Sequence, residues 1–214
     1  MLRCFPYGFL AVGATAVLAV ASPAQAVLTY NIYESGSDVI IAATGSLAIG
    51  NPFLPGGIAC IDPGSIISVS ASICTGPSGI SLPFYAVTGP ASFNDNANLY
   101  LASSVSGIAT TFSGDPNTFI GTGFVGLPST YSPGSPLFSS ATFGSTTLAT
   151  LGFTTTGLIG SWTLTDGGDT INVVVGPTAV PAPLPLLGAG AALSFSRRLR
   201  RRVRLGRSTP VDQG

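Results

Sequence analysis

Seven carboxylates are the only charged side chains between Val27 and Val180: Glu34, Asp38, Asp62, Asp95, Asp115, Asp166 and Asp169. The same stretch has no His, Lys or Arg, so its formal charge is −7. General bases at neutral pH are most often His, and charge clamps are Arg or Lys, so the usual hydrolytic triads cannot be assembled. Carboxylate chemistry is what this residue set leaves. Glu34 and Asp38 flank one turn and could in principle supply the acid and base of a glycosidase, which needs two carboxyls about 5–10 Å apart. Asp, Ser and Gly also populate turns on conformational grounds, and that is the expected role of "ESGSD". Asn94 to Asn98 ("NDNAN") and the Asp166/Asp169 turn offer oxygen ligands of the kind Ca2+ takes. Neither has the Gly and distal bidentate Glu of a complete calcium loop, so solvated turns are expected there. Weak Ca2+ binding at a −7 surface is compatible with this, but no metal site is assigned, and no catalytic residue or cofactor. The chain is read as not an enzyme.

Aromatic rings could stack on sugars if exposed. Of Phe84, Tyr85, Phe93, Tyr100, Phe112, Phe119, Phe124, Tyr131 and Trp162, most are expected in a core, Trp162 above all because it lies on an alternating strand. Tyr131, in the proline-rich "GLPSTYSPGSP", is the one expected to be exposed. An acidic body with no basic residue repels phosphate backbones, which excludes nucleic acid as a partner.

The elements that would hold these residues are strands. The body is rich in Gly, Ser, Thr, Val, Ile and Phe and poor in Glu, Lys, Gln and Arg, the straight-chain helix formers. Its apolar content is ample for a core, so disorder is not expected. "LTYNIY" and "VIIAATG" flank "ESGSD" as a hairpin, with Leu28, Tyr30 and Ile32 on one face by the strand period of two. Further strands are expected at "SIISVSASI", "FYAVTG", "NLYLASSVSG", "TFIGTGFVG", "LFSSATFG", "TTLATLGF", "GSWTLT" and "DTINVVVG". The last two are joined by "DGGD", placing Trp162 and Leu164 opposite Ile171, Val173 and Val175. "GNPFLPGGIACIDPGS" and "GLPSTYSPGSP" read as surface connections. Nine to ten strands predict an all-β, jelly-roll-like two-sheet β-sandwich over residues 27–176, enough chain for one packed domain.

Both ends read as addresses. The chain starts "MLRCFPYGFLAVGATAVLAVASPAQA": Arg3, an apolar run from Phe9 to Ala21, then the small-x-small site Ala24-Gln25-Ala26. Residues 1–26 are therefore expected to be a signal peptide cut by signal peptidase before Val27. In the exported chain Cys60 and Cys74 are expected to pair, since no His is present to activate either thiol. Residues 177–214 divide into three parts. Val180-Pro181-Ala182-Pro183-Leu184-Pro185 must be extended. Leu186 to Phe195 is apolar and rich in small residues, but ten helical residues cover only about 15 Å of a ~30 Å hydrocarbon core. Arg197, Arg198, Arg200, Arg201, Arg202 and Arg204 then form a stop-transfer cluster that stays cytoplasmic. A short anchor behind a rigid peptide suits temporary retention.

This tripartite tail resembles the PEP-CTERM sorting signal, read by exosortase-type membrane transpeptidases of Gram-negative bacteria, and its wording is close to the cyanobacterial version. Ala182 stands where Pro-Glu-Pro has Glu, as in the Val-Pro-x-Pro-Leu-Pro variants. The resemblance implies that Val180, Pro181, Pro183, Leu184 and Pro185 are the recognition and cleavage element. It also implies transient anchoring in the inner membrane, then release to the cell surface or beyond. "LTYNIYESGSDVIIAATGSL" and "GFTTTGLIGSWTLT…DTINVVVG" are similar to the bodies of this sorted class, which implies a family of secreted β proteins without an established activity. An uncut tail anchor is the alternative for the C-terminus. For the body, a non-catalytic matrix protein associated with exopolysaccharide is the leading expectation. A carbohydrate-binding module or a carboxylate-dependent glycosidase are the alternatives.

Overall fold

The computed structural model describes residues 26–58, 60, 62–117 and 120–176. Alternation of apolar and small polar residues makes strands of nearly all the regular structure: β1 (Val27–Ser35), β2 (Asp38–Gly45), β3 (Leu54–Ile58), β4 (Ser65–Ile67), β5 (Ser72–Thr75), β6 (Ser81–Thr88), β7 (Leu99–Leu101), β8 (Ser104–Gly107), β9 (Thr110–Ser113), β10 (Gly123–Gly126), β11 (Leu137–Phe143), β12 (Gly157–Leu164) and β13 (Thr170–Val175). They form one sheet in the order β7-β4-β5-β9-β10-β6-β12-β13-β1-β2-β11-β8, with β3 added against β6. The pairing is antiparallel except where β1 lies parallel to β13, clasping the start of the described chain to its end.

The two ends of this ladder, β7 and β8, are neighbours in sequence, separated only by Ala102 and Ser103. The sheet must therefore curl. Ala102 N–H donates to Gly64 O on the β4 side (3.0 Å), and Ser103 N–H to Thr142 O on the β11 side (2.7 Å). Gly76 N–H, beyond β5, reaches Ser140 O of β11 (3.3 Å). The result is a curled, half-barrel sheet around a main core.

Leu28, Tyr30 and Ile32 of β1 are fully buried, as the period of two predicts, and face Ile73 of β5 and Phe112 of β9 within one cluster. Trp162 sits among them, edge-on to Phe112 (4.9 Å between ring centroids) and Phe93 (5.7 Å), with its Nε1–H donated to Pro90 O at 2.7 Å. A buried ring that keeps its polar atom paired contributes its full apolar area. A chain of hydroxyls in the core is likewise closed: Tyr30 OH donates to Thr110 Oγ1 (3.1 Å), which shares a 2.6 Å bond with Thr75 Oγ1. Burial pushes the Tyr30 phenol far above its ordinary pKa. A second, smaller cluster stacks Phe84 on Phe124 (4.3 Å) under β3.

Both expected hairpins form. The β1–β2 turn is Gly36-Ser37, with Gly36 at φ +65°, and "DGGD" joins β12 to β13 with Trp162 opposite Ile171. Other segments depart from the sequence expectation for local reasons. "SIISVSASI" breaks at a 3-10 turn, Ser68–Ser70, and Ala71 at φ +45°, so that Ile66 and Ile73 face each other as a hairpin. "NLYLASSVSG" splits because its halves pair with opposite ends of the sheet. "TTLATLGF" is no strand: Thr147 Oγ1 accepts from Thr150 N–H, and Leu151 and Phe153 N–H bond back to Thr147 and Leu148. "GNPFLPGGIACIDPGS" is more than a surface connection, since it supplies β3. The sequence reading lacks β9 altogether; all four of its residues are buried, so no alternation marks it.

Candidate functional site

The carboxylates that could have done chemistry hold the backbone instead. Glu34 Oε1 accepts Leu148 N–H (2.8 Å), and Asp38 Oδ1 accepts Ser145 N–H and Ser37 Oγ–H (3.0 Å each). Both pin the loop after β11 to the first hairpin. Asp169 corrects the expectation of a solvated turn at this position. It is only 4% exposed, and its carboxylate takes Ala26 N–H on one oxygen (3.1 Å) and Ala48 N–H on the other. Of the two Asp residues in that turn, Asp166 is the exposed one. In "NDNAN", Asn94 and Asn96 side chains accept the N–H two residues on, and Asn96 Nδ2 reaches Tyr100 OH and Thr150 O (3.2 Å each). These are turn-building bonds. Among the described residues, no three His, Cys, Asp or Glu side chains gather as a metal site would need.

Cys60 and Cys74 are joined in a disulfide with their Cα atoms 5.8 Å apart, tying the segment after β3 to β5. Of the residues expected to form terminal signals, only Ala26 lies within the described residues. It serves the sheet at both polar atoms, N–H to Asp169 and C=O to Thr170 N–H. Ala24, Val180, Pro181, Pro183, Leu184, Pro185 and the arginines from Arg197 to Arg204 lie outside them, as does Phe119. Among the described residues no helix is long and apolar enough to cross a membrane.

Because β1 and β13 run parallel, the chain enters and leaves the body at opposite poles. Ala26 and Asp169 mark one pole. Gly176, whose N–H bonds Ile32 O (2.8 Å), marks the other, with the Gly36 hairpin tip beyond it.

Tyr131 is not the free exposed ring expected from its loop. Its hydroxyl donates to Ser135 O (2.8 Å) and takes Leu47 N–H (2.9 Å), so it staples the loop to the end of β2. Phe138 on β11 and Phe53 are exposed rings, 63% and 44% accessible; around Phe138, Leu137, Ser139 and Ala141 point inward. The strand "LFSSATFG" was legible, but the face on which Phe138 would stand was not.

Phe138 ends a cross-strand row on the outer side of the sheet. Ser161 pairs with Asn172, Asn172 with Thr29, Thr29 with Thr44 and Thr44 with Phe138. A second row runs Val174, Asn31, Ala42, Ser140, Ser106. Neither row holds a charge. Two depressions flank the Phe138 end. One of 170 Å³ is lined by Thr44, Ser106, Gly107, Phe138 and Ser140, among others. One of 210 Å³ is lined by Ile108, Tyr131 and three neighbouring Pro and Ser residues, Pro128, Ser135 and Pro136, among others.

No family model, curated protein or solved structure matches this chain. The site therefore stands on its own chemistry: structural carboxylates at the loops, and an uncharged hydroxyl and amide face with one exposed ring.

Proposed function

We propose that this chain is an exported, non-catalytic cell-surface or extracellular-matrix protein associated with exopolysaccharide. It crosses the inner membrane behind its signal peptide, is held there briefly by its C-terminal segment, and is cut at Val180–Pro185 by an exosortase-type transpeptidase. The observation that carries this reading is the order of the tail: "VPAPLP", a ten-residue apolar run and six arginines, behind a body with no basic residue. A stop-transfer cluster of that density has no place in a packed domain. The jelly-roll-like fold belongs with this proposal, the β13-β1-β2-β11 wall facing the β5-β9-β10 wall across the Tyr30–Phe112 contact (5.8 Å).

The carbohydrate-binding alternative is favoured by Phe138, and the glycosidase reading loses support because Glu34 and Asp38 are spent on backbone N–H groups. The test is the intact mass of the native protein from surface, medium and membrane fractions. A species beginning at Val27 and ending near Pro183 is expected. A membrane species still ending at Gly214 overturns sorting by cleavage and leaves an uncut tail anchor.

A further inference from the structure

The polar side chains of this molecule divide into two populations. Several at the loops and strand ends are engaged within the protein: Glu34, Asp38, Asn96, Tyr131 and Asp169 all bond to backbone. Those of the outer face are not. Thr29, Asn31, Thr44, Ser106, Ser140 and Asn172 make no side-chain hydrogen bond among the described residues; Ser106 is exposed on β8, and the others face outward on strands whose alternate residues are buried. Such a surface presents donors and acceptors at the strand spacing of about 4.8 Å, held rigid by the ladder beneath them.

We infer that this face, from Asn172 across Thr29 and Thr44 to Phe138, is a binding platform for a neutral, hydroxyl-rich polysaccharide. Three observations choose that occupant. The rows carry no charge and the described residues no basic side chain, so an anionic glycan, nucleic acid or acidic lipid finds no counter-ion here. Free hydroxyls and amides can exchange their water for sugar hydroxyls without leaving a buried charge unpaired. Phe138 presents an aromatic ring beside a depression large enough for a ring-sized group, and rigid aromatic anchors beside precise polar groups are the usual make-up of such sites. The platform's Phe138 end also lies at the pole remote from Gly176, so a chain held by its tail turns it away from the membrane. The proposal deepens the exopolysaccharide association above and rests on it.

The full chain is incubated with insoluble cellulose, dextran gel and mannan as neutral matrices and with alginate gel as an anionic one. Retention on a neutral matrix and not on alginate is expected. Phe138→Ala should weaken it roughly ten-fold, equivalent to about 1.4 kcal/mol. Thr44→Val, which keeps the strand and removes a hydroxyl, should weaken it less, and Phe53→Ala, at an exposed ring outside the two rows, not at all. Thermal midpoints of the variants confirm that each is folded. No retention on any neutral matrix, equal retention on alginate, or indifference to Phe138→Ala overturns the platform. So does a concentration-dependent dimer, broken by Phe138→Ala, that covers the face. The C-terminal mass is read on the same samples. A chain ending at Gly214 that binds glucan sinks the sorting reading alone, and a cut chain that binds nothing sinks the platform alone.

Discussion

Asp169 shows how little of a residue's role is carried by its type. In sequence it is one of two Asp residues flanking a glycine pair, and a turn residue of that kind is ordinarily solvated. In the fold its carboxylate holds Ala26 N–H and Ala48 N–H, closing the pole where β1 begins. Asp169→Ala leaves two backbone donors without their acceptor and should cost about 2–3 kcal/mol, read as a lowered urea midpoint with unchanged m-value. Asp166→Ala, exposed, should change it by less than about 0.5 kcal/mol. Tyr30 gives a test by pH. Burial raises its folded pKa above the ordinary phenol value of about 10, so the folded state binds its proton longer than the unfolded chain does. That contribution is complete below pH ~10 and is lost as the pH climbs from there toward the folded value. Tyr30→Phe should cost about 1 kcal/mol at pH 7, through the lost bond to Thr110, and flatten the alkaline fall in stability. An unchanged alkaline slope in that variant would assign the fall to another group.

Elements were legible in proportion to how plainly one face is buried. The β1–β2 and β12–β13 hairpins carry alternation and turn chemistry, and both form, though in the second only Trp162 meets its expected partner Ile171, while Gly160 and Gly157 stand opposite Val173 and Val175. β9 carries Thr110, Thr111 and Ser113 into the interior, where hydroxyls pair with Tyr30 and Thr75, and buried polar residues erase the pattern on which sequence reading depends. β3 hides in a run of Pro and Gly for a different reason. A Cβ at Gly57 would stand 2.1 Å from the Phe84 ring, so the strand can lie against β6 only because the residue has no side chain. Gly57→Ala should therefore displace Phe84 from its stack on Phe124 and cost about 1–3 kcal/mol in thermal or urea unfolding. The Cys60–Cys74 bond holds the end of this same segment to β5. Its reduction should remove about 3 kcal/mol in the chain-entropy account, as the difference in urea unfolding with and without dithiothreitol. The outer platform was the least legible part, because period-two patterning identifies which residues alternate but not which polar ones stay unpaired.

At the scale of the molecule, the parallel pairing of β1 with β13 links the fold to its proposed route. β1 is made first, yet its partner arrives some 140 residues later, and on the proposed route so non-local a closure would delay folding until the whole body is across. A signal peptide and an export channel that pass unfolded chain would suit that order, and in the proposed role the arginines would stop the chain once β13 is clear. The described contacts end at Gly176, whose N–H caps the clasp on Ile32 O. A chain ended after Gly176 should thus keep its thermal midpoint and be recovered from the medium. One ended after Asp169 loses Ile171, Val173 and Val175 from the core, and the partner of β1 with them, and should not fold. If the chain ended after Gly176 unfolded, the tail would be part of the domain and the division between body and address would fall. If it folded but stayed in the membrane fraction, retention would belong to the signal segment, and the C-terminal arginines would have lost their role.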